Sequence, residues 1–215
     1  MKFRQKYMKP VYGVFISVVA IWSTTPLAIQ WSTLGSSFSF SVASRMLLGL
    51  IFCILILLFK QQKLSLDKQS LANYLYAGAG IFITMSLVYY SALSIPSGLI
   101  SVVFGLTPII TGVFALILLK DSFFSLGKMI GLLLGLSGLF MIFKHSFTFA
   151  ETLLTGLISI TLAMIFQAFI SVKLKKINSQ ISALETTTGA LIVSVPLFII
   201  SWFALGGEIP ETSLK

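Results

Sequence analysis

Charged residues are scarce in this 215-residue chain, and that scarcity excludes most classes of soluble protein. Only 10% of the residues are Asp, Glu, Lys or Arg, whereas 57% are hydrophobic and the mean hydropathy is +1.01. Soluble globular domains average about 25% charged residues. Because a water-soluble fold cannot bury this much apolar surface, the sequence predicts a protein whose surroundings are lipid.

Cysteine and histidine are almost absent as well. Cys53 is the single cysteine and lies in an apolar run, so the chain has no pair of cysteines for a disulfide or a Cys-rich metal site. His145 is the single histidine, and the acidic residues are scattered. Acid–base and metal chemistry usually needs His and carboxylate groups together. We therefore expect no enzyme activity, no metal and no cofactor. The chain also has no G-x-x-x-x-G-K-[ST] loop, so we expect no direct use of ATP.

Long apolar runs are what the chain contains instead. Each run is close to the ~20 residues that cross a bilayer as a helix, and short polar connections separate the runs. This spacing predicts an all-α, polytopic membrane helical bundle of about seven transmembrane helices. The runs cover residues 10–31, 40–59, 71–93, 98–119, 126–143, 153–172 and 183–205.

The basic residues predict an orientation. Twelve of the 15 Lys and Arg residues fall in segments on one side of the predicted membrane, among them the basic segment 1–9. Positive charge concentrates on the cytoplasmic side of membrane proteins, so we place the N-terminus in the cytoplasm. The net charge is +9, and the charged residues lie between apolar runs rather than along one face. The expected partners are therefore the lipid bilayer and a small-molecule solute, and nucleic acid is not among them.

Two segments 140 residues apart resemble each other. Segments 43–49 and 183–189 have an alanine, a charged residue (Arg45 or Glu185) and a glycine at the same spacing near the start of a run. In the predicted topology these two runs cross the membrane in opposite directions, which is typical of inverted repeats in secondary transporters. We expect a five-helix repeat over 10–143 and an incomplete second repeat over 144–215, with two helices and an outer loop.

Several motifs resemble those of EamA-type members of the drug/metabolite transporter superfamily. They are WSTTPLAIQW at 22–31, Arg45, YSALSIPSGLIS at 90–101, LTPI at 106–109 and GLLLGLSG at 131–138. The resemblance implies ten helices in two inverted halves, of which this chain would supply seven. It also implies export or facilitated movement of small organic metabolites or drugs by alternating access, in the bacterial cytoplasmic (inner) membrane. The alternative is a shortened, non-transporting protein that acts as a helix-packing partner.

Prolines inside the runs are candidates for lining a solute pathway. Pro26 has no N–H and leaves the carbonyl of Trp22 unpaired, so nearby hydroxyls or a water-lined cavity would have to satisfy that carbonyl. We therefore expect the first helix to open locally at Pro26. Pro108 and Pro196 interrupt later runs in the same way, and broken helices line binding sites in transporters. Ordinary kinks satisfied by neighbouring helices are the alternative.

Polar and aromatic groups inside the runs are the other candidates. A central charge costs roughly 2.5–3.5 kcal/mol, so Arg45 either lines the substrate pathway, or extends to the outer interface as an anchor or bonds another helix. Glu185 either carries protons or a cation, or favours a helix N-terminus. Tyr90 either joins an aromatic wall with Trp22 or belongs to an interface belt. The predicted pathway residues are Trp22, Thr24, Thr25, Pro26, Arg45, Tyr90, Pro108, Gln167 and Glu185.

Glycines recur on the fifth run. Gly131 and Gly135 are four residues apart and Gly138 follows, so small residues stack along one side of a helix. Such a stripe allows another helix to approach closely. We expect it to serve helix packing, and a homo-oligomer through the Gly131/Gly135 face is a further expectation.

Overall fold

The computed structural model describes residues 2–34, 36–120, 125–143, 151–177 and 180–207, and the regular elements in these ranges are α-helices. The all-α prediction is therefore confirmed. In chain order the helices are α1 (Lys2–Ser32), α2 (Phe38–Phe59), α3 (Lys68–Ser91), α4 (Ser97–Phe104), α5 (Thr107–Leu119), α6 (Leu126–Phe143), α7 (Glu151–Ile177) and α8 (Ala183–Ala204).

Six helical stretches in these ranges are long and apolar enough to cross a membrane. Helices α4 and α5 together form one of them, Ser97–Leu119. Helix α6 coincides with the predicted run at 126–143. A polytopic membrane bundle is therefore confirmed, and each of the seven predicted runs corresponds to helix.

Capping side chains fix where three of the helices begin. The hydroxyl of Ser37 accepts a hydrogen bond from the first turn of α2, and the carboxylate of Asp67 accepts two from the first turn of α3. Ser182 and Glu185 form a reciprocal capping box at α8. The first N–H groups of a helix have no partner within it, so these side chains satisfy donors that would otherwise stay unpaired.

The predicted interruption near Pro108 is confirmed. Helix α4 ends at Phe104 and α5 begins at Thr107, with Pro108 in its first turn. A proline is tolerated there because the first N–H groups of a helix lack acceptors in any case. Pro108 thus starts a new helix within one membrane span.

The local opening expected at Pro26 is not present. Helix α1 continues through Pro26 to Ser32. The hydroxyl of Thr25 donates to the carbonyl of Ile21 at 2.7 Å, so this side chain is satisfied within its own helix. Helix α8 likewise continues through Pro196. A lost backbone hydrogen bond is therefore absorbed without breaking either helix, as often happens in membrane spans.

Helix α3 lies at the centre of the bundle. It packs most extensively against α7 and α8, while α8 also packs on α2 and α7 on α5. Gly78 and Gly80 permit this close approach. A Cβ on Gly78 would lie 2.6 Å from the Cβ of Val193, and one on Gly80 would lie 2.8 Å from Cγ2 of Ile170. Small residues are what bring membrane helices together.

The bundle has two distinct ends. We call one the cleft end, where α1 finishes at Ser32 and α2 begins at Phe38. The other is the capped end, where Ser65 of the α2–α3 connection meets Glu185 near the start of α8. Helices α2 and α8 therefore run in opposite directions, as the inverted repeat expects of this pair. The repeat itself stays a prediction.

Candidate functional site

A cleft of about 350 Å³ lies between α1, α2 and α3 at the cleft end. It opens to the outside of the bundle, because several of its lining side chains are exposed. Its lining is both polar and apolar. The polar side chains are Ser32, Ser36, Ser41, Ser44, Arg45 and Tyr89, and the apolar ones are Ala28, Phe40 and Leu48.

Helix α2 supplies one continuous face of this cleft. Ser41, Ser44, Arg45 and Leu48 stand at positions i, i+3, i+4 and i+7, which place them on the same side of a helix. Arg45 is seven residues beyond the start of α2, or about 10 Å along the axis. Leu48 lies one turn further along the same face, so the cleft extends over about the first half of this span.

Serine hydroxyls tie α1 to α2 at the edge of the cleft. The hydroxyl of Ser41 donates to the carbonyl of Ser32 at 2.6 Å, and the hydroxyls of Ser36 and Ser41 are 2.6 Å apart. Ser36 also donates to the carbonyl of Ser32, at 2.7 Å. These bonds satisfy a helix-terminal carbonyl and hold the two helices at a fixed separation.

Arg45 is the charged residue that lines the cleft among those the structure describes. Its Nη1 donates to the hydroxyl of Tyr89 at 3.4 Å, and Tyr89 is 0% exposed. Among the described residues no carboxylate pairs with Arg45. A guanidinium has five N–H donors, and the bond to Tyr89 uses one of them.

Aromatic side chains support the floor of the cleft. The ring of Phe40 packs edge-on against Trp202, with centroids 5.6 Å apart. Phe38 packs similarly against Tyr90 at 5.9 Å. Such pairs are favourable beyond their buried area and fix ring positions. Tyr90 is nevertheless 44% exposed, so its neighbour Tyr89 is the tyrosine that points inward.

The capped end differs from this open arrangement. The hydroxyl of Ser65 donates to Oε1 of Glu185 at 3.4 Å, while Oε2 accepts from the backbone N–H of Ser182 at 2.9 Å. Nearby, Gly189 lies against the ring of Tyr74, which is 4% exposed. The carboxylate of Glu185 therefore has a structural role at this end.

Asp67 belongs to the same end and lies outside the membrane spans. The hydroxyl of Ser70 donates to its Oδ1 at 2.6 Å. This bond, followed by the backbone bonds of the helix start, holds the pKa of Asp67 below its ordinary value. The carboxylate is thus charged at neutral pH and interacts favourably with the positive, N-terminal end of the α3 dipole.

Of the predicted pathway residues, Arg45 lines the cleft and the others do not. Trp22 is 66% exposed on α1, and Pro108 is exposed on α5. Gln167 is partly buried on α7. The remaining residues of α1 are Thr24, which is exposed, and Thr25 and Pro26, which are partly buried. Their roles in a pathway stay predictions.

The sequence interpretation missed the serines and Tyr89. Six serines lie between residues 32 and 44, and this density was the available signal. The predicted run at 40–59 already contains Ser41 and Ser44, but Arg45 is the one residue of its first turns that the sequence interpretation selected. The i, i+4 and i+7 spacing from Ser37 would have placed these serines on the face that carries Arg45.

The glycines of α6 face open space. A Cβ on Gly131, Gly135 or Gly138 would meet no atom within 4 Å. Within the described residues, α6 has few neighbours, the main one being α4. The predicted packing role of these three glycines, and the homo-oligomer, stay predictions.

Comparison with known proteins gives one result. The model of the EamA-like transporter family matches residues 9–144. No significant match was found among curated proteins or among solved structures. The matched region includes the whole cleft, most of α1, all of α2 to α6 and more than half of the chain. The chain therefore belongs to the EamA-like transporter family.

Proposed function

We propose that this protein is a secondary transporter of small organic solutes and that the cleft is the entrance to its pathway. The observation that carries this proposal is an open cleft that combines serine hydroxyls with the cation of Arg45. Ionisable groups inside membrane spans are expensive and mark substrate pathways. Arg45 would be costly in this span without a polar function to serve.

The difference between the two ends supports alternating access. A transporter of this kind exposes its site to one side of the membrane at a time. The cleft end is open at Ser32 and Arg45, while the capped end is closed by Ser65, Glu185 and the packing of Tyr74 on Gly189. We assign this arrangement to a state open on one side. A proton gradient or the gradient of the solute itself would drive the cycle.

The two ends of the bundle face opposite sides of the membrane in this proposal. The basic residues favour a cytoplasmic N-terminus, which puts the capped end in the cytoplasm and the cleft end outside a bacterial cytoplasmic membrane. In a Cys53→Ala background, a cysteine at Ser36 would react with a membrane-impermeant thiol reagent from outside. A cysteine at Gln61 would react from inside only. The reverse pattern would overturn this orientation.

Transport is tested by plugging the cleft. Proteoliposomes are loaded with a panel of small carboxylates, amines and amides, and efflux is followed by mass spectrometry. Ser44→Trp places an indole in the cleft, whereas Ser137→Trp places one on the open side of α6. We expect protein-dependent efflux that Ser44→Trp abolishes and Ser137→Trp preserves.

Either of two results contradicts the proposal. Wild-type protein that moves no member of the panel faster than empty liposomes would argue against transport. If the Ser44→Trp variant showed the same efflux rate as the wild type, the solute would not pass through the cleft.

A packing partner without transport activity is the second candidate function. The open glycines of α6 favour it, since a small-residue face suits another helix. Gly135→Leu separates the two functions. It should leave efflux unchanged if the protein transports by itself, and should disrupt a complex in a crosslinking assay if this face binds a partner.

A further inference from the structure

Among the described residues, the charge that lines the cleft has no counterion. Arg45 lines the cleft, and neither of the described acidic side chains does. Asp67 and Glu185 are the two acidic residues whose side chains the structure describes, and both lie at the capped end. The guanidinium is therefore separated from these carboxylates by most of the length of the bundle.

The serines of the cleft do not offer hydrogen-bond donors that are free to bind a ligand. The hydroxyls of Ser36 and Ser41 are hydrogen-bonded to each other and to the carbonyl of Ser32, which uses the single proton of each, and the hydroxyl of Ser44 donates to the carbonyl of Ser41 at 3.2 Å. The serines thus present mainly lone pairs, whereas Arg45 presents the available N–H donors. A ligand that accepts several hydrogen bonds would bind at Arg45 rather than along the serines.

The geometry of the guanidinium limits which chemical groups can bind to Arg45. Its planar fork matches the two oxygens of a carboxylate or phosphate, and charge-assisted pairs of this kind are stronger than neutral hydrogen bonds. The bond from Nη1 to Tyr89 holds one arm of the fork and leaves the rest directed elsewhere. A group with two anionic oxygens, such as a carboxylate or a phosphate, therefore fits the guanidinium of Arg45.

The rest of the cleft sets the size and character of the ligand. Phe40, Leu48 and Ala28 give the cleft an apolar part of its lining beside the guanidinium. The volume of about 350 Å³ is near the lower limit of ligand pockets, so the cleft suits a small solute.

We propose that the cleft binds the anionic group of a small amphiphilic solute, with Arg45 as the anion-binding residue. The inference rests on the proposed transport function, because it names the substrate class of that pathway. The same oxygen chemistry occurs in the headgroups of anionic lipids, and the open side of the cleft brings that source within reach. Of these two ligands, the proposal names the soluble solute.

Binding is measured by isothermal titration calorimetry on protein in phosphatidylcholine nanodiscs. Benzoate is the probe, and benzamide is its neutral counterpart of the same shape. We expect benzoate to bind at least about tenfold more tightly than benzamide, since hydrogen bonds to charged groups exceed neutral ones by this margin. Added salt should weaken benzoate binding and leave benzamide unchanged.

Three variants locate the site. Arg45→Gln should remove the preference for benzoate, and Arg45→Lys should restore part of it without the bidentate geometry. Lys173→Gln is the matched control, because it removes one positive charge on α7, where Lys173 lies over the ring of Phe169. It should bind benzoate as the wild type does.

Each outcome bears on the proposal. Equal binding of benzoate and benzamide by the wild type overturns it even if Arg45→Gln fails to fold, and so does an unchanged preference in Arg45→Gln. A second titration uses nanodiscs that contain phosphatidylglycerol. If the lipid alone abolishes benzoate binding, the headgroup is the ligand and the soluble source is wrong.

The two proposals fail separately. Benzoate binding with no efflux of any panel member would leave the anion site intact and remove the transport function. Efflux of neutral solutes with no preference for benzoate would do the opposite.

Discussion

Helices α3 and α1 are both long apolar segments, yet they occupy very different surroundings. Among the residues of their most apolar windows, 39% are buried in α3 and 6% in α1. Helix α3 lies between α7 and α8, where Gly78 and Gly80 let the neighbouring backbones approach. Helix α1 contacts the bundle mainly near the cleft end, around Ile29, which is 2% exposed.

This difference separates two roles for apolar helices. The packing of α3 is tight enough that an added methyl group would collide, which describes a structural core. The contacts of α1 with α2 are polar and few, and they border the cleft. We therefore expect substitutions in α3 to affect folding and substitutions beside the cleft to affect binding and flux.

The largest effect is expected at Gly78. A Cβ there would lie 2.6 Å from the Cβ of Val193 and 2.8 Å from the carbonyl oxygen of Ala190, and neither atom can move away easily. Gly78→Val should lower the free energy of unfolding by roughly 3 kcal/mol, the upper part of the usual range for overpacking. An SDS unfolding titration followed by fluorescence measures it.

The matched control is Gly131→Val on α6. Because a Cβ at Gly131 meets no atom within 4 Å, the change should be within about 0.5 kcal/mol and reflect helix propensity alone. If both variants lose the same stability, close packing is not what distinguishes α3.

A smaller effect is expected from the two tryptophans. Trp202 packs against Phe40 and Phe203, with ring centroids at 5.6 and 4.6 Å, whereas Trp22 is 66% exposed. Trp202→Ala should cost about 2 kcal/mol through lost aromatic contacts. Trp22→Ala should leave stability unchanged. Heating the detergent-solubilised variants and measuring the soluble fraction compares them, and equal losses would contradict the contrast between core and periphery.

The smallest effect is expected from Asp67 at the start of α3. The lowered pKa means that its carboxylate stabilises the folded state above the ordinary pKa of an aspartate. That contribution is lost as the pH falls through the lowered value. Asp67→Ala should therefore reduce the melting temperature slightly at neutral pH and less at about pH 3.

Asp67→Asn is the control for this cap. It keeps a hydrogen-bond acceptor for the helix start and removes the titration, so its melting temperature should stay closer to the wild type. A larger loss for Asp67→Ala at acid pH than at neutral pH would show that the sign of the linkage is wrong.

Helix positions were largely predictable from sequence because apolar length is a strong constraint in a bilayer. The run at 126–143 coincides with α6, and α8 begins at Ala183 as expected. The predicted break near Pro108 appears for the local reason given, a missing N–H. By contrast, α1 continues through Pro26, and the presence of a proline alone does not decide between a break and an uninterrupted helix.

The faces of the helices were not predictable in the same way. A helix that is apolar on every side gives no periodic signal for which side is buried. Tyr89 and Tyr90 are adjacent and chemically identical, yet Tyr89 is 0% exposed and Tyr90 is 44% exposed. Only the arrangement of α3 between its neighbours decides between them, and that arrangement depends on contacts far apart in sequence.

The most direct test of the account asks whether water and solute share the cleft. A cysteine at Ser44 in a Cys53→Ala background is treated in proteoliposomes with a membrane-impermeant sulfonate thiol reagent, and labelling and efflux are followed together. We predict that Ser44→Cys reacts and that efflux falls in proportion to the fraction labelled. Complete labelling with unchanged efflux, or no labelling at all, would contradict the claim that this cleft is the entrance to the pathway.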